Sequence, residues 1–210
     1  KLLMRAPEAV AMLGDDDELV PRDLGRLDLE MRQAVERSTS VKGAARVIRR
    51  LRRRELTRIS AADTLGRLDI LAVGEALSDV SEVTLTAALE ASIAAFEHDH
   101  GDLPTQFAIV LMGRLGGHEV GYSSDADVMF VHRPVEGADD VEAAKAATEV
   151  ATSLRAMLAA PSADPPLEVD ADLRPDGKNG PLVRSLDAYR TYYAQWSAVW
   201  EAQALLRARP

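Results

Sequence analysis

Residues 113–131 read GRLGGHEVGYSSDADVMFV, and the fold turns on how this stretch is read. Four glycines and two adjacent serines lead into two aspartates spaced by one residue, at the head of an apolar run. An ionised carboxylate is costly to bury unless an arginine, backbone amides or a metal ion compensates it. Residues i and i+2 of a strand point to the same face. If 125–132 is a strand, Asp125 and Asp127 therefore stand side by side, with Val128 and Phe130 on the opposite face, toward a core. Two like charges that close would drive one carboxyl to keep a proton unless a cation intervenes. Mg²⁺ suits this arrangement, because it takes hard oxygen ligands from one or two carboxylates and completes its shell with phosphate oxygens.

The surroundings of the motif predict the rest of the unit. QFAIVLMG (106–113) is a short apolar run bounded by Pro and Gly, and reads as a buried strand. DDVEAAKAATEVATSLRAMLAA (139–160) reads as a helix, with Asp139 or Asp140 as its cap and PSADPP as its end. PLEVDADL (166–173) reads as a third strand that brings in Asp170, with Glu168 and Asp172 on the same face. RPDGKNG (174–180) is a turn-rich loop, and the chain from Ser185 to Arg209 reads as helical with Ser185 as a cap. Three carboxylates on neighbouring strands beside a Gly-Ser loop suit two-metal phosphoryl or nucleotidyl transfer. GRLGG supplies flexible backbone that a phosphate could approach closely.

Upstream of about residue 100 the period changes from two to that of a helix. LDLEMRQAVERS (27–38), VKGAARVIRRLRRRELTRIS (41–60) and TLTAALEASIAAFEHDH (84–100) carry apolar residues three and four apart, and strand patterns are lacking. SDVSE (78–82) offers Ser and Asp as helix N-caps, and GDDDELV (14–20) reads as a solvated acidic turn. The expectation is an α+β fold: a helical N-terminal segment, residues 1–98, followed by a small mixed-sheet catalytic unit with flanking helices, residues 99–210.

Composition narrows the function. The 210 residues suffice for a substantial core, and 47% hydrophobic with 28% charged residues is globular. A formal net charge of −9 argues against a nucleic-acid binder. Nothing spans a membrane, and the absence of cysteine fits a cytoplasmic protein. KLLMRAPEAV, at the start, has neither an initiator Met nor the layout of a signal peptide, and reads as cut from a longer chain.

Gly-Gly followed closely by Ser-Asp-X-Asp on a strand resembles the nucleotidyltransferase superfamily that includes DNA polymerase β. Within it, GRLGGHEVGYSSDADVMFV, EVDADLRPDGKNGPLV and WEAQALLRAR, with RRLRRRELTRIS…LSDVSEVTLTAALEA upstream, are similar to the glutamine synthetase adenylyltransferase family over residues 45–210. Members of that family carry two such units. One attaches AMP to a tyrosine of glutamine synthetase and the other removes it by phosphorolysis. EVGYSSD and WEAQALLRAR look more like the C-terminal, adenylylating unit. Two positions depart from the family pattern: Arg114 stands where Lys is usual, and Asp172 stands where an Arg is usual, while Arg174 keeps the second arginine of that motif.

The resemblance implies that Asp125, Asp127 and Asp170 are the catalytic residues and hold two Mg²⁺ ions, with ATP as the substrate. It implies that Gly116, Gly117, Ser124, Arg174 and Lys178 bind the nucleotide. It also implies glutamine synthetase as the partner and a nitrogen-status regulator acting on the parent chain, with no nucleic acid. Glu201 and Arg207 belong to the closing motif and read as either salt-bridging or catalytic. Other readings stay open: the adenylyl-removing unit, a nucleotidyltransferase with another acceptor, or a non-catalytic module. The remaining conspicuous residues read as structural. RRLRRRE (49–55) is expected to be a solvated face paired with acids. His98, His100, His118 and His132 are expected at the surface, and Tyr192, Tyr193, Trp196 and Trp200 on a helix packing face.

Overall fold

In a computed structural model, which describes residues 7–38 and 40–210, both apolar runs around the motif are strands. Thr105–Leu111 (β1) and Ala126–Pro134 (β2) pair antiparallel, with Leu111 opposite Val128 and Thr105 opposite Pro134. The other edge of β2 is shared end to end by two short parallel strands. Val169–Asp170 (β3) pairs with Ala126–Asp127, and Val183–Ser185 (β4) pairs with Phe130–His132. The sheet is therefore small and mixed. The expected strand over 166–173 shrinks to two residues, because the chain turns away after Asp170 into the loop that Arg174 organises. β4 lies between the expected loop 174–180 and the expected helix, and ends on Ser185, the residue expected to start that helix.

Helices supply the rest. Pro7–Met12 (α1), Leu24–Glu36 (α2), Val41–Thr64 (α3) and Ile70–His100 (α4) precede the sheet. Gly113–Gly116 (α5) is a single turn, Asp140–Ala159 (α6) crosses between β2 and β3, and Leu186–Gln195 (α7) and Val199–Ala204 (α8) close the chain. Ahead of β1 the described residues form helices and turns only. Lys1–Ala6, the start of KLLMRAPEAV, lie outside the described residues. Asp139 caps α6 by accepting from the amides of Val141 and Glu142, and Ser185 caps α7 by accepting from Ala188 N–H. Among the described residues no helix is long and apolar enough to cross a membrane.

Ser78 and Ser81 are not caps. They lie inside the 31-residue α4, fully buried, and donate their hydroxyls to the carbonyls of Gly74 and Leu77 one turn back. That bond satisfies a serine inside a helix without ending it. The cap of α4 is Asp69, which accepts from Ala72 N–H at 2.8 Å.

One apolar core runs from Leu27 and Met31 of α2, through Ile48 and Ile59 of α3 and Leu77 and Leu85 of α4, to Val128 and Phe130 of β2 and Leu154 of α6. A second cluster covers the face of β2 that carries Asp127: Met112, Met129 and Tyr189, with Tyr193 and Leu205 packed beside them.

The basic run pairs with acids at Arg53 and Arg54 as expected, but it is not a solvated face. Arg49, Arg52, Glu55 and Arg58 are buried, and Arg58 is only 1% exposed. Arg58 bonds Glu55 at 3.0 Å and Glu18 at 3.1 Å, while Arg54 grips Glu30 through both terminal nitrogens and also bonds Glu55. Arg49 donates to the carbonyl of Met157, Arg53 pairs with Asp164, and Arg52 donates to the carbonyls of Pro165 and Pro166. The run is an internal seam between the helical part and the α6–β3 connection. The acidic turn is tied down as well: Asp16 pairs with Arg67, Glu18 with Arg58, and Leu19 is buried.

His132 is also buried, with its ring Nδ1 3.1 Å from the Thr105 hydroxyl across the β1–β2 pair. Trp196 and Trp200 do the reverse of what their spacing suggested and stand 72% and 58% exposed, beside the still more exposed Val199. Helical spacing places residues on one face without saying which face is covered.

Candidate active site

β2 and β3 set the carboxylates. Asp127 is the second residue of β2 and lies directly opposite Asp170 in the parallel register, while Asp125 sits just before the strand. One carboxylate oxygen from each of the three can be chosen so that all lie within 4.8 Å of one another. Among the described residues this is the one such grouping of potential metal ligands. Glu168 and Asp172 do not join it. Glu168 is exposed, and Asp172 turns toward Arg174 at 3.3 Å and Lys178 at 3.2 Å.

The cluster is electrostatically unsatisfied. Burial, and then the charges of Asp125 and Asp170, push the Asp127 carboxyl above its ordinary value of 3.8, with only Arg114 pulling the other way. Arg114 makes no ion pair among the described residues and is exposed. Asp170 accepts a 2.7 Å hydrogen bond from Asp172 N–H. A hard divalent cation fits this donor set, since it would remove the repulsion that no neighbouring side chain removes.

A raised carboxyl pKa carries a sign. Below 3.8 Asp127 is protonated whether the chain is folded or not, and its preference for the folded state is intact there. That contribution is lost as pH rises through the elevated folded value. In EDTA the thermal midpoint of wild type relative to Asp127→Asn should therefore fall as pH climbs from 3 toward 7, and saturating divalent cation should flatten the difference. Parallel midpoint curves in EDTA would refute this.

GRLGG is ordered, not loose. It forms α5, and the amides of Gly116 and Gly117 donate to the carbonyls of Met112 and Gly113. A Cβ on Gly116 would lie 1.8 Å from the Arg207 carbonyl, so it is protein backbone from the C-terminal segment that approaches closely here. Gly113 has a φ of +54°, and a Cβ there would lie 2.2 Å from Asp127 Oδ2. Only glycine leaves room for that carboxylate.

Downstream, Ser124 closes a turn by accepting from Gly121 N–H at 3.0 Å, which leaves its own hydroxyl proton available. Arg174 is buried, and its nitrogens are committed to the carbonyls of Ala171, Gly180 and Pro181 and to Asp172. It shapes the loop after Asp170. Lys178 stays exposed.

The loop that delivers Asp125 is held by α4, which the spacing of the motif did not reveal. Val120 N–H donates to the Ser78 hydroxyl, and Gly74 leaves room for the backbone of His118 and Glu119 against the helix. Gly74 and Ser78 stand one turn apart in a helix already rich in Ala and Ser, so this contact left no distinctive signal in the sequence. Arg207 pairs with Glu119 of the same loop at 2.9 Å. Glu201 is buried, accepts from the Tyr192 hydroxyl and caps α8 through Ala198 N–H, so both charges of the closing motif have partners within the protein.

With this geometry in view, the whole chain, residues 1–210, matches the protein family described as Glutamate-ammonia ligase adenylyltransferase. The chain belongs to that family. It is 50% identical to a bifunctional glutamine synthetase adenylyltransferase/adenylyl-removing enzyme of Streptomyces avermitilis, across 99% of this chain and 22% of the relative. It is 47% identical to the protein of the same name from Mycobacterium tuberculosis, across 99% of this chain and 21% of that relative. The chain thus spans about a fifth of the length of the curated relatives it matches. The glutamate-ammonia ligase adenylyltransferase match takes in the helical part as well as the sheet, in keeping with the core they share.

Proposed function

We propose that this chain transfers AMP from ATP to a tyrosine of glutamine synthetase and releases pyrophosphate. The observation that carries the reading is the convergence of Asp125, Asp127 and Asp170 within 4.8 Å at the edge of a small mixed sheet, in a chain of this family. Together the three would hold two Mg²⁺ ions. When bound, these ions supply Lewis-acid stabilisation of the attacking and leaving oxygens of an in-line displacement.

The chain's own residues have separable tasks. Asp127 and Asp170, fixed by the strand register, orient the carboxylate oxygens. Asp170 also stands closest in role to a proton acceptor for the tyrosine hydroxyl, whose ordinary pKa is near 10. The free proton of Ser124 and the ammonium of Lys178 are donors for the nucleotide phosphates, and Arg114 is the unpaired cation facing the same carboxylates. Gly116, Gly117 and Arg174 serve the nucleotide by holding backbone in place. The stretch Glu119–Asp125, with Gly121-Tyr122 before Ser-Ser-Asp, favours the adenylylating unit over the removing one. As a regulator of nitrogen assimilation it would act in the cytoplasm and respond, through the parent chain, to a nitrogen-status signal.

The test is to incubate the protein with purified glutamine synthetase, Mg²⁺ and α-labelled ATP. Label should enter glutamine synthetase and pyrophosphate should appear. Release of ADP from pre-adenylylated glutamine synthetase, dependent on phosphate, would assign the removing reaction instead. No label movement in either direction would refute both.

A further inference from the structure

β3 is two residues long, yet it presents one of the three carboxylates. A pairing this short cannot hold a strand in place by its own ladder, so the anchorage must lie on its flanks. Downstream, the buried Arg174 grips Ala171, Gly180 and Pro181. Upstream, the grip comes from the helical part, more than a hundred residues away in the chain. Arg52 Nη1 donates to the carbonyls of Pro165 at 3.0 Å and Pro166 at 3.1 Å, four and five residues before Asp170. Arg49, one turn earlier, and the adjacent Arg53 reinforce the same seam, at Met157 near the end of α6 and at Asp164 on the connection.

Arg52 is an unusual way to make such a contact. It is 8% exposed, makes no ion pair among the described residues, and its Nε has no hydrogen-bond partner. Burial with no compensating carboxylate lowers its pKa to about 10. A buried cation of this kind costs stability, and an apolar residue of similar volume would pack there at least as well. What an apolar residue could not do is hold the carbonyls of Pro165 and Pro166, two residues whose own nitrogens have no hydrogen to offer a ladder.

We infer that Arg52 is a positioning residue for the metal site: from inside the helical part it clamps Pro165–Pro166 and so fixes the two-residue strand that presents Asp170. The inference rests on the reading of the carboxylates as metal ligands and assigns α3 a direct mechanical link to them. A shift of α3 relative to α6 is transmitted to Asp170 before it reaches Asp127, which belongs to β2, or Asp125, which lies just ahead of it.

Two substitutions and two readouts test it. In Arg52→Met the amides of Val169–Asp172 should exchange with deuterium markedly faster in metal-free buffer, while those of β2 keep their protection. Mn²⁺ affinity, followed by loss of the free-ion paramagnetic resonance signal, should weaken by about tenfold, the low end for residues that orient metal ligands. The thermal midpoint should stay level or rise. Arg52→Lys, which keeps a cation with several donors, should recover part of both losses. Unchanged exchange at 169–172 in Arg52→Met overturns the inference. So does a general loss of protection with a lowered midpoint in both variants, which would make Arg52 a stability residue only. If wild type itself binds no Mn²⁺, the metal reading has failed, and the exchange of 169–172, which needs no metal, still decides the positioning role.

Discussion

Asp127→Asn is expected to lower the proposed AMP transfer by at least about 10³-fold, or roughly 4 kcal/mol of transition-state stabilisation, while leaving the metal-free protein as stable as wild type or more so. The two halves of that expectation have one cause. Asp127 is crowded by Asp125 and Asp170, so its charge disfavours the empty fold and is useful only when a cation is present. An amide keeps the size and the strand, removes one of the three repelling charges, and removes a proposed metal ligand. A protein in which these aspartates only capped or paired would show the opposite: stability lost by about 1–3 kcal/mol and transfer retained. Thermal unfolding in EDTA and label transfer measured on the same sample separate the two cases.

The second large effect is on stability. Glu55→Ala is expected to destabilise the fold by about 3–5 kcal/mol, because it strips the buried Arg58 of its nearest carboxylate. Arg58 is 1% exposed and would be left with Glu18, whose side chain is half in solvent. Arg54 would keep Glu30, so the damage should centre on Arg58. Chemical denaturation measures it. Combining Glu55→Ala with Arg58→Met should recover much of the loss, since the charge left unpaired is then gone as well. Equal destabilisation by the single and double variants would contradict this account.

The carboxylates were legible because their signal is local. Charges two apart at the head of an apolar strand declare a shared face, and the same reasoning found Asp170. The length of β3 was not legible, because what ends it is Arg174 folding back on Gly180 and Pro181, a contact made in three dimensions. The arginines of α3 were misread for a related reason. The run reads as a solvated face paired with acids. Arg53 and Arg54 do pair with acids, but Arg49 and Arg52 are buried on the backbone carbonyls of Met157, Pro165 and Pro166, which leave no charge pattern in the sequence. Ser78 and Ser81 looked like caps because the same hydroxyl that caps a helix from outside can bond the preceding turn from within. GRLGG reads as flexible backbone, whereas at Gly113 and Gly116 the space a side chain would need is taken by Asp127 and the Arg207 carbonyl.

The chain has two tryptophans, and both project into solvent from the α7–α8 corner, on the side of the sheet where Met129 and Tyr189 cover the continuation of the Asp127 face. Their native emission is therefore expected to lie close to that of the unfolded chain, near indole in water. It is a weak reporter of unfolding and a sensitive one of anything that settles on that corner, where a blue shift and loss of quencher access would register contact without any label being introduced.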